Sequence, residues 1–328
     1  MLVLVIPMII TTIIIISSSL LLIRIEQKLG LLCKDVHKQG DIRIPCIGGF
    51  SLVIGLYIGI TLLRLYKIIS YEIFISFIVY LSISFIIGLI DDVIDLKSRW
   101  KIILGLLPVV PLMIFNVYVP RPWIPFLGYI RISSLYPLLM AGATTVYLNA
   151  ANMFDTHNGT LPFITLSSIG FAVLLKIYTH APLNDIAIPL LFSIAILSYL
   201  PFNIYPAKMF NGNTGAYVLG SLLAYTAIIC RVEFYIVLST FPMFINGFYY
   251  ISSVKGFLQK EQVERPTYVD ENGCIHPRIG KAPITFIRLL TLFSNTPLSE
   301  KELVIIVYTI SFLSSLTAFI ITIGLGFK

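Results

Sequence analysis

The stretch "GLIDDVIDLKSRWK", Gly88 to Lys101, sets three carboxylates, Asp91, Asp92 and Asp95, against the end of an apolar run that begins at Ile73. Two adjacent carboxylates repel each other, and such a pair is tolerated best where a cation lies between them or one is protonated. If the helix continues past Ile90, Asp95 falls on the same face as the pair. Lys101 follows nine residues after Asp92. The alternative is a loop whose mixed charges solvate themselves.

A second cluster, "NAANMFDTHNGT", spans Asn149 to Thr160. Asn149, Asn152 and Asp155 are spaced by three and share one helical face; His157 and Asn158 follow, and Gly159 ends the helix. Oxygen ligands of this kind suit Mg²⁺ or Mn²⁺ and a phosphate substrate better than zinc. A capping cluster is the competing explanation. In "MFNGNTGAYVLG", Met209 to Gly220, a glycine-punctuated turn opens a helix whose exposed N–H groups could receive a phosphate. In "HPRIGKAP", His276, Arg278 and Lys281 offer cations and donors, or a solvated basic loop.

The elements that must position these groups are membrane spans. The 328 residues are 57% hydrophobic and only 12% charged, with mean hydropathy +0.93. Soluble chains carry about 25% charged residues, so this composition implies an all-α polytopic membrane protein. The first 23 residues lack a basic start and a small-residue cleavage site and read as a retained span. Four scattered cysteines without a CxxC argue against a disulfide framework or a zinc site. A span needs about 20 apolar residues. Ten segments meet this, some marginally: 2–23, 46–66, 72–90, 102–119, 135–151, 161–178, 186–202, 215–234, 235–251 and 303–324. The eighth and ninth are separated only by a tight turn near Arg231–Glu233.

Ten spans put both termini on one side. Most of the 23 basic residues fall in the alternate loops 24–45, 91–101, 203–213 and 252–301. Lys and Arg gather on the cytoplasmic side, so these loops are expected to be cytoplasmic, with both termini external. The net charge of +7 is thereby read as topology, with no nucleic acid partner. All four polar clusters then share the cytoplasmic face. The long loop 252–301 has room for a strand pair around "RPTYVDENGCIHPRIGK". Carboxylates for a metal, glycines for phosphate approach and basic groups for anions suggest phosphoryl transfer from a diphosphate at a membrane surface.

These residues resemble the polyprenyl-phosphate N-acetylhexosamine-1-phosphate transferases, over nearly the whole chain. "IPCIGG" is similar to the family's Pro-x-x-Gly-Gly at the start of the second span. "DDVIDLKSRWK" resembles its Asp-Asp motif with a downstream lysine, "NAANMFDTHNG" its Asn-x-x-Asn-x-x-Asp pattern, and "NGNTGAYVLG" its Gly-Asp-x-Gly-like turn. "HPRIGKAP" stands where the family has a basic loop, closer to the dolichol type. Two positions depart: Asn213 replaces the family's metal-binding aspartate, and Asn158 a second aspartate of bacterial members. The resemblance implies one catalytic domain, 1–328, with 252–301 as its substrate-binding loop. It would transfer sugar-1-phosphate, with GlcNAc favoured, from a UDP-sugar to polyprenyl or dolichyl phosphate, releasing UMP. It implies Mg²⁺ (or Mn²⁺) on Asn152 and Asn213, and catalytic roles for Asp91, Asp92, Asp155 and Lys101. Asn149, Asn152, Asn158, His276, Arg278 and Lys281 would bind substrate. The setting would be the cell membrane, or the endoplasmic reticulum in a eukaryote, with a homodimer left open. High isoleucine content points to an archaeon.

Two other classes compete. A transporter would carry its carboxylates mid-span, where this chain has almost none. The CDP-alcohol phosphotransferases, also Mg²⁺-dependent, need an Asp-Gly…Ala-Arg signature that is absent from the sequence.

Overall fold

The computed structural model describes residues 2–254, 263–280 and 282–328. Apolar runs without interrupting charge become helices: α1 (Leu2–Leu29), α2 (Gly49–Leu65), α3 (Tyr71–Ile94), α6 (Tyr136–Phe154), α7 (Thr160–Tyr178), α8 (Leu183–Asn203), α9 (Gly212–Ile229) and α13 (Glu300–Gly324). Between α3 and α6 lie the short helices α4 (Ser98–Gly105) and α5 (Val110–Ile114). After α9 come α10 (Glu233–Ser239), α11 (Phe241–Ser253) and α12 (Phe286–Phe293).

Among the described residues, five helices are long and apolar enough to cross a bilayer: Val3–Leu29, Tyr71–Ile94, Thr160–Tyr178, Leu183–Asn203 and Glu300–Gly324. Only about a third of α1 and of α13 is buried in the protein. Their exposed faces carry Ile9, Ile13, Leu313 and Ile320, as lipid contact requires. The helices α10 and α11 form a pair bent by 65°, which could count as a sixth span. The bend falls at Thr240, where Pro242 cannot continue the hydrogen-bond ladder of α10. The segment 102–119, expected as one span, is broken at Gly105–Val109, where Pro108 interrupts the ladder.

The centre of the bundle is α9, which packs against α2, α3, α6 and α7. Every residue from Thr214 to Ile228 is buried. Tyr80 of α3 donates to the Ser221 carbonyl at 3.1 Å, and its ring meets Tyr225. The turn between α9 and α10 holds Arg231 at φ +55°, the tight reversal that the sequence placed near Arg231–Glu233.

Strands are confined to the connections. β1 (Leu32–Lys34) pairs antiparallel with β2 (Arg43–Pro45), and β3 (Trp123–Ile124) with β4 (Gly128–Tyr129). In the long loop, β5 (Thr267–Val269) pairs with β6 (Cys274–Pro277) in the register Thr267↔Pro277, where the strand pair was expected. A third strand, β7 (Leu298–Ser299), joins β6 and leads into α13. The cysteine pattern misled. Cys33 and Cys46 form a disulfide with Cα atoms 5.6 Å apart, because the β1–β2 hairpin closes a 13-residue separation. Sequence spacing alone cannot show that closure. Cys230 and Cys274 are free.

Candidate active site

The start of α9 is held by backbone. Gly48 and Gly49 donate to the Phe210 and Asn211 carbonyls at 2.9 and 3.1 Å, and Phe210 donates to Pro45 at 2.8 Å. A Cβ on Gly49 would lie 2.4 Å from the Gly215 nitrogen, so only glycine permits this approach. Gly212 adopts φ +69°, and a Cβ there would strike the Cys46 carbonyl. The two glycine motifs of the sequence are thus the two halves of one contact.

The paired aspartates part company at the end of α3. Asp92 accepts from the Asn213 and Thr214 backbone N–H groups at 2.7 and 2.8 Å and from the Thr214 hydroxyl. It caps α9 from outside that helix, where the macrodipole favours a negative charge. Asp91, 2% exposed, meets the Lys101 ammonium at 2.8 Å, the Leu96 N–H at 2.9 Å and the Asn152 amide at 3.4 Å. Asp91 therefore has an ammonium partner, whereas Asp92 has the N–H groups that open α9. Asp95 ends α3 with φ +44° and lies 3.7 Å from Lys101.

Along α6 the expected face forms. Asn149, Asn152 and Asp155 all line one cleft of about 1570 Å³, together with Asp92, Lys101, Asn158 and Asn213. Asn149 donates to the Thr145 carbonyl within its own helix at 2.8 Å. Asp155 accepts from Asn211 at 2.7 Å, and Tyr199 donates to the Asn211 oxygen at 2.9 Å. Asn203 clamps the floor by accepting from Gly159 N–H and donating to Met209. Asp91 lies behind the cleft wall, where it holds Lys101 and Asn152.

The basic loop behaves differently from expectation. His276 and Arg278 do not line the cleft. His276 pairs with Asp270 at 2.9 Å and stacks on Tyr268, while the Arg278 backbone bonds Pro266. The Cys274 N–H, the His276 ring and the Asn272 N–H hold the Asp270 carboxyl below the usual carboxylate range. Lys281 lies outside the described residues. Among the described residues, Lys34 and Arg265 line the cleft beside Lys101.

Sequence reasoning also missed the β1–β2 turn. His37 stacks on His157 with ring centroids 3.9 Å apart, and its Nε2 donates to the Thr156 carbonyl at 2.9 Å. Asp35 is buried and pairs with Lys38 at 2.8 Å. Asp and His together in "KDVHK", between two membrane segments, were the available signal. Among the described residues, the His157 Nε2 and Asn158 Nδ2 atoms have no hydrogen-bond partner, and both residues line the cleft.

Burial pushes both imidazoles below the ordinary histidine value, His157 well below. An unfolded histidine takes up a proton near pH 6.5, whereas these two stay neutral to lower pH. Their contribution to stability is therefore complete above about pH 6.5 and is lost as pH falls below it. Thermal unfolding midpoints should fall on acidification from about pH 7 to 5, and His157→Phe, which keeps the ring stack, should make that fall shallower. Equal slopes in the two proteins would exclude the histidine pair as the cause.

Oxygen donors suited to a hard dication meet in this cleft: the Asn152 and Asn213 amides and the Asp155 carboxylate. The Asn152 Nδ2 is committed to Asp91, which leaves its carbonyl oxygen for a cation. No group of three or more His, Cys, Asp or Glu residues gathers here or elsewhere among the described residues. The donor set fits Mg²⁺ or Mn²⁺ and does not fit zinc.

Residues 74–231, from the first turn of α3 to the end of α9, match the glycosyl transferase family 4 profile. A Saccharolobus solfataricus protein named "Putative UDP-N-acetylglucosamine--dolichyl-phosphate N-acetylglucosaminephosphotransferase" is 29% identical over 226 residues, covering 68% of this chain and 70% of that one. The Dictyostelium discoideum UDP-N-acetylglucosamine--dolichyl-phosphate N-acetylglucosaminephosphotransferase is 24% identical over 316 residues, 82% of this chain and 76% of its own. The Petrotoga mobilis phospho-N-acetylmuramoyl-pentapeptide-transferase is 29% identical over 245 residues, 70% and 74% of the two chains. The matched span carries the aspartate pair, the asparagine face and the glycine turn, and over it the chain is similar to glycosyl transferase family 4.

Proposed function

We propose that this chain transfers N-acetylglucosamine 1-phosphate from UDP-N-acetylglucosamine to a polyprenyl or dolichyl phosphate in the cell membrane. The observation that carries the reading is the lining of the cleft, which combines the polar Asn152, Asp155 and Asn213 with the apolar Leu89, Val93, Val146, Phe244 and Phe248. Val93 and Phe248, apolar residues of this lining, are 74% and 69% exposed. A lipid phosphate could enter past them while the nucleotide comes from water. The reading includes ten membrane segments, with α4–α5 and α10–α11 as broken ones, and both termini external. The cleft then faces the cytoplasm, and Arg265 and Pro266 of the long loop line it.

In this reaction an oxygen of the lipid phosphate attacks the phosphorus that bears the sugar. The bond from that phosphorus to the bridging oxygen breaks, and UMP leaves with the bridging oxygen. The lipid phosphate has a second pKa of about 6 and is already largely a dianion at neutral pH, so positioning outweighs base catalysis. Lys101, aimed by Asp91 and Asp95, offers its charge to a phosphate. Asp92 is a positioning residue that fixes the start of α9 and with it Asn213. Lys34 and Arg265 face the nucleotide phosphates, and Asn149 and Asn158 shape the nucleoside pocket. Mg²⁺, held by Asn152, Asn213 and Asp155, would neutralise charge that builds on the diphosphate oxygens.

The test is UMP release and lipid-product formation by purified membranes given labelled UDP-N-acetylglucosamine and polyprenyl phosphate, with Mg²⁺ or with chelator. Product only with Mg²⁺ is expected; absence of product with every UDP-hexosamine would reject the function. Arg265→Ala should raise KM for the UDP-sugar about tenfold, as loss of one charge-assisted hydrogen bond does. Arg278→Ala should leave it nearly unchanged. The reverse order would return the nucleotide to the "HPRIGKAP" segment.

A further inference from the structure

At the end of the bundle opposite the cleft, α2 closes with Arg64 and the turn to α3 carries Lys67 and Ser70. These residues line a cavity of about 580 Å³ together with Asn184 at the start of α8 and the apolar Val3 and Leu183. The positions fix its level. The other ends of α1, α2, α3 and α8 reach the cleft, and with these helices read as membrane segments the pocket lies at the far edge of the hydrocarbon layer.

Charge at this pocket is unbalanced. Among the described residues, neither Arg64 nor Lys67 has a carboxylate within ion-pair distance. The Arg64 guanidinium donates, among the described residues, only to the Ile69 carbonyl, at 3.4 Å. Exposed Glu72 lies in the field of Arg64 without pairing with it, and Asp185, next to Asn184 in the chain, accepts from the Asn184 amide at 3.0 Å. Lys67 is held at φ +57°, which fixes the turn that presents its side chain. Around these cations the surface is apolar and exposed: Leu65 is 70% and Val3 45% accessible.

Two cations with a hydroxyl and an amide, framed by exposed aliphatic side chains at a membrane boundary, match one ligand chemistry. The ligand is an anionic phosphate ester that carries hydrocarbon tails. We propose that this pocket binds the phosphate head group of an anionic membrane lipid, between Arg64 and Lys67, with its tails along Leu65, Val3 and Leu183. Arg supplies a fork of donors for phosphate oxygens and Lys a point charge. The site is separate from the cleft and would hold whatever reaction the cleft performs.

The experiment uses the delipidated full chain in neutral detergent, titrated with dioleoylphosphatidylglycerol or dioleoylphosphatidylcholine, with bound lipid counted by native mass spectrometry. Phosphatidylglycerol should bind in preference. An interfacial cation contributes roughly fivefold to anionic-lipid binding, so Arg64→Gln with Lys67→Gln should weaken the tightest phosphatidylglycerol site by about thirtyfold. Arg64→Lys with Lys67→Arg keeps both charges and should keep the preference, which separates loss of charge from loss of fold. Unchanged phosphatidylglycerol affinity in the glutamine double variant would overturn the proposal. Displacement of the lipid by an equal concentration of inorganic phosphate would also overturn it, since the pocket would then be a free-anion site.

Discussion

Asp92→Asn is expected to lower turnover by at least about a hundredfold and to destabilise the start of α9. The carboxylate accepts three donors, the Asn213 and Thr214 N–H groups and the Thr214 hydroxyl. An asparagine offers one oxygen, and its NH₂ would face a donor. At least one part-buried or exposed donor then loses its acceptor, at a cost of about 1 kcal/mol, and the negative charge at the helix N-terminus is lost. Asn213, whose side chain lines the cleft, moves with the backbone that Asp92 no longer holds. In catalysis a displacement of about 1 Å can cost a hundredfold. The contrast is Asp95→Asn, whose carboxylate is 48% exposed and only 3.7 Å from Lys101. That change should leave turnover within a few-fold of the parent. Turnover and unfolding midpoint are measured on the same preparations. If both are unchanged in Asp92→Asn, the capping geometry has no functional weight.

The aspartate pair shows where sequence and structure differ in what they tell. Composition made the membrane class plain, because so little charge cannot cover a water-facing surface. The i, i+3 spacing put Asn149, Asn152 and Asp155 on one face, and the cleft contains all three. Two adjacent aspartates, though, are indistinguishable in sequence. Consecutive helical residues point about 100° apart, so one met α9 and the other met Lys101. The same limit hid Asn203 and Asn211, single polar residues next to apolar runs. Each is defined by a partner far along the chain, Gly159 for Asn203 and Asp155 for Asn211. The basic loop misled for a related reason. Its cations were judged by composition, while β5–β6 pairing turns His276 toward Asp270 and leaves Arg265 to line the cleft.

Asn213→Asp is expected to lower the Mg²⁺ concentration needed for half-maximal turnover by about tenfold or more. Asn213 is the second residue of α9 and lines the cleft with Asn152 and Asp155. Its amide can ligate a dication but brings no charge. At an effective dielectric of about 20, one added negative charge roughly 4 Å from the metal is worth up to about 4 kcal/mol before desolvation. Two local effects oppose each other. The helix N-terminus favours the new carboxylate by about 0.3–1 kcal/mol. Asp92, whose carboxylate already accepts the Asn213 N–H, repels it. With the cation present the attraction exceeds both, and without it the repulsion from Asp92 and from the substrate diphosphate is unrelieved. The variant should therefore be faster than the parent at low Mg²⁺ and slower with chelator-buffered traces. A second reading needs no turnover: Mg²⁺ added to the substrate-free protein should raise the unfolding midpoint more in Asn213→Asp than in the parent. Superimposable titrations in both measurements would mean that Asn213 does not touch the metal, and Asn152 with Asp155 would then have to hold it without help from α9.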